Sequence, residues 1–338
     1  GAGMMDCKKA LTETNGDMDA AVEVLKKSGA AKAEKKAARI AAEGIAKVAI
    51  DGNTAVVVEV NSETDFVAKN AIFQEFVQAV ADKALTVDTE KAGDGEDVVS
   101  ILDMKADLDD KILKIGEKIS IRRFEKVTAD VVASYIHGGG RIGVLVAGNG
   151  ASDDAAKEAL TNIAMQIAAM NPQYISRDEI SADELAKMKE ITIDSALNDP
   201  FSLPKPVLSK LIEKAVAGVW SAEDVAIYEE KKSNMNFLPN FLSKEAKAQL
   251  AEIACADKEE ISGNKIFSGL VEGRISKQMK EICLLDQGYV KAEDGKQTVA
   301  AYLKSVNPAL KIAKFVRFEV GEGMEKKNED FAAKQMNV

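Results

Sequence analysis

The sequence predicts an α+β protein, and three observations carry that prediction. Residues 45–60 and 132–147 repeat one β-hairpin plan, and each copy is followed by an amphipathic helical stretch and a closing strand. A helical pattern precedes the first copy. A long, mostly helical stretch, residues 178–313, interrupts the second copy before its last strand.

Residues 4–29 read as two short helices. Asp6 is placed to cap the first, which runs through Cys7, Lys8, Ala10 and Leu11 to a stop at Asn15-Gly16. Asp17 is placed to cap the second, where Met18, Ala21, Val22 and Leu25 recur at helical spacing until Gly29. Two such helices bury little alone, so they need a third helix or a docking surface. Residues 30–43, rich in Ala, Lys and Glu, read as a connector helix.

The first repeat begins with IAKVAIDGNTAVVVEV, whose turn contains Asp51-Gly52. The second begins with VASYIHGGGRIGVLVA and turns at Gly138, Gly139 and Gly140. The helix after the first hairpin carries Ile72, Phe73, Phe76, Val77 and Val80. Its counterpart carries Ala159, Ile163, Ile167 and Met170 and ends at Asn171-Pro172. The closing strands, ISIRRFEKV and KFVRFEVGE, share an Arg-Phe-Glu core. Two copies of this plan imply two antiparallel three-stranded sheets, each covered by helices on one face.

Within the inserted stretch, SADELAKMKEI, LSKLIEKAVAGVW, SAEDVAIYEEKK and KIFSGLVEGRISKQMKEI have caps and helical apolar spacing, with breaks at 200–206 and 234–240. Such an arm either presents its apolar stripe for self-association or folds back on itself. The pattern leaves both open.

Composition narrows the function classes. The chain has 338 residues, 46% hydrophobic and 30% charged, which is enough for a substantial core and argues against wholesale disorder. Its net charge is −10. The basic clusters at 32–39 and 111–123 are interspersed with acids and read as solvated helix faces, so direct nucleic-acid binding is not expected and a protein partner is. No apolar run approaches a membrane span, and the N-terminus lacks the plan of a signal peptide. The chain begins at Gly1 without a methionine, so a leading segment is expected to be missing. Three widely spaced cysteines make no metal pattern and read as reduced thiols, which points to the cytoplasm.

Catalytic devices are scarce. The single histidine, His137, stands at a hairpin tip, a poor place to hold a nucleophile against an imidazole. The GGGR turn lies between strands and is not a P-loop, and no metal-ligand spacing occurs. No cofactor is expected, and the checklist for an enzyme is scarcely met. The stretch NSETDFVAKN raises a different possibility. In one reading Ser62 caps a helix, Asp65 completes a capping box, and Phe66 and Val67 are its first buried residues, as most phenylalanines are. Against this, the second copy reads VLVAGNGASDDAAKEAL, with no aromatic at the corresponding place. A residue needed to close a shared core should have a counterpart.

Five strings in order complete the sequence reading: GAGMMDCKKAL, the hairpin followed by TDFVAKN, KIGEKISIRR, the Tyr-x-His-Gly segment leading to RIGVLV, and RFEVGEG. Together they resemble the bacterial elongation factor Ts family, over most of residues 1–180 and 268–338, whereas residues 195–262 look longer than in compact members. The resemblance implies a guanine-nucleotide exchange factor for the GTPase elongation factor Tu, without covalent catalysis. It implies that Asp65 and Phe66, flanked by Thr64 and Val67, insert between helices of the GTPase domain near its magnesium site. Ile115 and Gly116 are then a second contact loop, Met4 and Met5 an N-terminal contact, and His137 a contact from the second core half to another domain of the partner. Implied domains are a ubiquitin-associated-like helical module with connector (1–40, one helix short), core half N (41–128) and core half C (129–177 with 284–323). A coiled-coil-like dimerisation arm (178–283), through which a homodimer is expected, and a C-terminal helical module (324–338) complete the set. The alternatives are a scaffold that binds another protein through residues 1–29 without exchange activity, and an enzyme that uses His137.

Overall fold

The computed structural model describes residues 2–326. Two helices, α1 (Met4–Glu13) and α2 (Met18–Lys36), open the chain. Asp17 caps α2 as expected, accepting from the Ala20 amide at 3.2 Å. Asp6 does not cap α1. It lies inside the first turn, with Gly3 at the N-cap, and pairs with Lys32 at 3.3 Å. Nor does Gly29 stop α2. It is a packing position, where a Cβ would lie 3.3 Å from the backbone oxygen of Asp109, and the helix continues through it to Lys36. The expected connector helix is therefore the end of α2, a short loop and the first residue of a strand.

That strand, β1 (Glu43–Asp51), pairs with β2 (Thr54–Ser62), and Asp51 opposite Thr54 leaves a two-residue turn with Gly52 at φ +61°. Next come α3 (Asp65–Ala68), α4 (Ala71–Thr86), β3 (Lys91–Ala92), α5 (Val98–Ile101), α6 (Lys105–Ile115) and β4 (Ser120–Thr128). The sheet order is β1-β2-β4-β3, so a two-residue fourth strand is added to the three expected. α4 buries Phe73, Phe76, Val77 and Val80, while Ile72, expected on that face, is exposed.

The second copy repeats the plan with β5 (Val131–His137), β6 (Ile142–Asn149) and α7 (Asp154–Met170). In α7 Ala159, Ile163 and Ile167 are buried, but Met170, expected beside them, is exposed at the helix end. α14 (Val299–Val306) and β7 (Lys311–Glu319) complete this unit, once the helices named in the next paragraph are counted. Its sheet order is β5-β6-β7. In both sheets the second hairpin strand is central and the closing strand pairs with it. The valine run of β2 lacks alternation because both its faces are covered. Val56, Val58 and Val60 pack with Phe73, Phe76 and Phe124, while Ala55 and Val57 meet Val132, Leu145, Val316 and Phe318 of the other sheet.

Pro172–Gln287 form a second compact unit. It contains α8 (Ala182–Leu197), α9 (Lys205–Gly218), α10 (Ala222–Lys231), α11 (Lys244–Ala256), α12 (Lys258–Ser262) and α13 (Lys265–Ile282). Their stripes close on a core that includes Leu197, Leu211, Ile212, Leu238 and Phe267, with the Trp220 indole donating to the Ala246 carbonyl at 2.9 Å. This core favours the folded-back reading of the inserted stretch. The two ends of the unit are stitched together: Gln173 and Tyr174 amides donate to the Ile282 carbonyl, and Leu284 donates back to Tyr174 at 2.8 Å. Inside, buried Asp224 accepts from the Ser243 amide and from the hydroxyls of Ser243 and Ser221, fixing the starts of α10 and α11 against each other. Of the expected C-terminal helical module, residues 327–338 lie outside the described residues, and residues 324–326 are not helical.

One polar cluster organises the first unit. Glu59, fully buried in the middle of β2, accepts from Arg123 Nε at 2.6 Å, Arg122 at 3.2 Å, Asn61 at 2.9 Å and the Gly321 amide at 2.8 Å. Arg123 also reaches the Glu319 carbonyl and Glu322, and stacks over the Phe318 ring at 4.1 Å. The 111–123 basic cluster is therefore a helix face only over Lys111 and Lys114 on α6, and not at its end. Arg122 and Arg123 leave the helix pattern and enter a strand whose partner supplies a buried anion. The Arg122 guanidinium hydrogen-bonded to Asp94 holds that carboxyl below its ordinary range.

Removing one member of a buried ion cluster leaves the others without compensation, a loss of about 4 kcal/mol in comparable sites. Glu59→Ala should therefore lower unfolding stability by about that amount, measured by urea denaturation; a loss under about 1 kcal/mol would contradict the role given to the cluster. For Asp224, burial pushes the carboxyl up, but the Ser243 and Ser221 hydrogen bonds outweigh it and hold its pKa below the ordinary carboxylate value. Its contribution is whole above the ordinary carboxylate value and fades as pH falls through the lowered one. Wild type should thus lose more stability than Asp224→Asn on going from about pH 5 to about pH 3, with parallel losses contradicting the assignment.

Candidate functional site

The chain leaves β2 through Asn61 and Ser62, both buried. Ser62 does not cap the next helix; its hydroxyl donates to the Thr64 carbonyl at 2.9 Å. Thr64 is the cap, accepting from the Val67 amide at 3.4 Å, and the helix it starts, α3, lasts four residues. Asn70 then caps α4 by accepting from the Ile72 and Phe73 amides at 2.8 and 3.2 Å. This break decides where Phe66 points. On one continuous helix Phe66 and Phe73, two turns apart, would share the buried face. With the helix interrupted, Phe73 is fully buried and Phe66 is 81% exposed. Asp65 is exposed beside it, Val67 packs in part on the core and Ala68 is buried.

The string KIGEK arrives at the same place from the other side of the sequence. α6 ends at Ile115, which rests against the first core, and Gly116 closes it in the left-handed region at φ +85°, a conformation that suits glycine. The Gly116 carbonyl accepts from Lys36 Nζ at 2.7 Å. Glu117 accepts from the Thr64 hydroxyl at 2.6 Å, and Glu63 accepts from the Lys118 amide at 2.8 Å. Arg39, just after α2, pairs with Glu63 at 3.3 Å and offers its carbonyl to Lys118 Nζ. T-D-F-V and K-I-G-E-K thus become neighbours.

The remaining candidates stand on other elements. Met4 and Met5 are exposed on α1, as are Met18 and Val22 on α2. His137 is exposed at the end of β5, where its Nδ1 shares a hydrogen bond of 3.1 Å with the Tyr135 hydroxyl. The turn beyond it is anchored at Gly140, whose carbonyl accepts from the Ala46 amide at 2.7 Å. A Cβ on Gly140 would come within 2.9 Å of the Ile45 side chain, so only glycine permits that approach. The second hairpin's tip is in this way fixed to β1, the edge of the first sheet.

The sequence pattern did not reveal Arg39, Glu63, Glu117 and Lys118 as the groups that join the two loops. No spacing rule connects residues more than fifty positions apart; the family strings marked both loops but not the bonds between them. Among the described residues, no group of three or more His, Cys, Asp or Glu side chains is arranged to hold a metal ion. Nor is any described helix long and apolar enough to cross a membrane. What the site offers is an exposed aromatic side chain on a braced helix start, suited to insertion into another macromolecule.

Comparison with known proteins agrees in placing the match across both core copies. The family model described as elongation factor Ts matches residues 63–322. A protein of Clostridioides difficile (strain 630) named elongation factor Ts is 40% identical over 347 aligned residues, covering 99% of this chain and 94% of that protein.

Because Phe66 is exposed, Phe66→Ala should change unfolding stability by no more than about 0.5 kcal/mol. A clearly lowered denaturation midpoint would return Phe66 to the core.

Proposed function

The chain belongs to the elongation factor Ts family of translation elongation factors, and we propose that it acts as the guanine-nucleotide exchange factor of the GTPase elongation factor Tu. The single observation that carries this reading is the exposure of Phe66, 81%, on a helix start tied to a second loop. Single exposed apolar side chains are common on protein surfaces, so the weight lies in where Phe66 stands, on a capped helix start whose residues match the family string TDFV.

Exchange needs no covalent step. GDP on a GTPase is held through its phosphates and through Mg²⁺, which bridges protein and phosphate oxygens. A factor that binds the nucleotide-free GTPase better than the GDP form weakens GDP binding by the same ratio, because the coupling is reciprocal. The overall nucleotide equilibrium is unchanged and nothing is consumed. The factor therefore requires a stiff wedge and a broad contact surface. Phe66 supplies the apolar wedge, with only two side-chain torsions to restrain, and Asp65 the adjacent charge. Thr64 sets the helix start and Val67 roots it in the core. Ile115 and Gly116 form the neighbouring contact loop. Met4 and Met5 make a separate apolar contact from α1, and His137 meets a different part of the partner from the second hairpin. These roles come from the family resemblance, and the exposure of Phe66, Asp65, Met4, Met5 and His137 supports them.

Release of a fluorescent GDP analogue from purified bacterial elongation factor Tu, at fixed Mg²⁺, tests the reading. The chain should accelerate release, and Phe66→Ala should lose most of that effect. Buried aromatic anchors are worth about 2 kcal/mol at interfaces, or roughly 30-fold in rate. No acceleration by the wild-type chain would overturn the proposal.

A further inference from the structure

The helix that carries Phe66 has little of its own to hold it. Four residues are far below the length at which a helix sustains itself in water. Of its side chains, Ala68 is buried, Val67 is partly buried, and the largest points away from the protein. Its direction must be set by contacts made from outside.

Two carboxylates supply them. Glu117 takes the Thr64 hydroxyl in a short, charge-assisted hydrogen bond, 2.6 Å to one oxygen and 3.1 Å to the other. The same hydroxyl oxygen accepts from the Val67 amide, so Glu117 orients the cap itself. Glu63, whose side chain is only 10% exposed, receives the Lys118 amide and the Arg39 guanidinium. Lys118 in turn donates its ammonium to the Arg39 carbonyl at 2.8 Å. Three segments meet here: the loop after α2, the residues before α3, and the loop after α6. The apolar core beneath is already closed by Phe73, Phe76, Val80 and Ile112, without help from either glutamate.

We propose that Glu63 and Glu117 are positioning residues, a clasp that fixes the start of α3 and so the direction in which Phe66 leaves the surface. The functional consequence rests on the exchange-factor reading. A wedge that leaves the surface in one direction loses less freedom on insertion than one free to swing, so the clasp raises the yield of productive encounters without touching the partner's nucleotide.

The test compares Glu117→Ala, Glu117→Gln and Glu63→Ala in the full chain. Glutamine keeps an oxygen that accepts from Thr64. Amide hydrogen exchange in the free protein should speed up at Val67 by about tenfold in both alanine variants, the scale of one lost charge-assisted hydrogen bond, and much less in Glu117→Gln. Accelerated GDP release, measured below saturation, should fall by about tenfold in the alanine variants and be largely kept by Glu117→Gln, with thermal midpoints near wild type. In a Phe66→Ala background, Glu117→Ala should add no further loss, because it acts through Phe66. Unchanged hydrogen exchange at Val67 overturns the clasp. So does faster hydrogen exchange with undiminished GDP release, and so does a loss that adds fully to that of Phe66→Ala, which would make Glu117 a partner contact in its own right. If wild type itself fails to accelerate release while Val67 responds as expected, the exchange-factor reading falls and the clasp stands as a local brace.

Discussion

A single carboxylate organises the first unit. Glu59 sits out of water in the middle of β2 and is compensated by two arginines from β4, an amide from β2 itself and a backbone amide beyond β7. Buried ions of this kind are weak evidence for stability, since desolvation offsets much of their attraction. Their effect is on arrangement. In the observed register Glu59 meets both arginines of β4 and the Gly321 amide, so the strand that closes the first copy and the turn that ends the second converge on the same charge. The covered faces of the two sheets then meet in one defined way, with Val57 against Gly143 and Phe318 under Arg123.

On that frame the two hairpins hold different things. The first delivers α3 and Phe66 at its exit, and the second delivers His137 at its tip. Both depend on β1 and β2, the first by chain continuity and the second through the Gly140 carbonyl on Ala46. An exposed phenylalanine on a loose loop would collapse onto the nearest apolar surface. Here the Thr64 and Asn70 caps fix the helix starts on either side of it, and the Phe66 ring stands in solvent.

Local chemistry made much of the fold legible. Alternating and β-branched runs, glycine turns and helical spacing marked both hairpins, α4, α7 and most helices of the inserted unit, because these signals act over a few residues. What escaped depended on distance. Gly29 looked like a stop because its packing partner, Asp109, lies far along the chain. Arg122 and Arg123 looked solvated because their anion is on another strand. Two-residue β3 is too short for any periodicity, and Asp6 met the composition of a cap without the position. At the site, the outward turn of Phe66 followed from a helix break at Lys69-Asn70 that the capping-box pattern at Ser62 concealed. The comparison of the two copies was the one sequence signal that pointed outward, and the family strings supplied the rest.

The stitched ends of the helical unit have a consequence for how such a chain changes over time. Because Gln173 and Tyr174 are bonded directly to Ile282, the rest of the protein sees the whole unit as two adjacent chain ends, much as it would see a tight turn. Helices can be gained or lost between those ends at little cost in closure entropy, and the strands outside the unit need not adjust. A change in the length of residues 195–262 would therefore leave Gln173, Tyr174 and Ile282 bonded as they are.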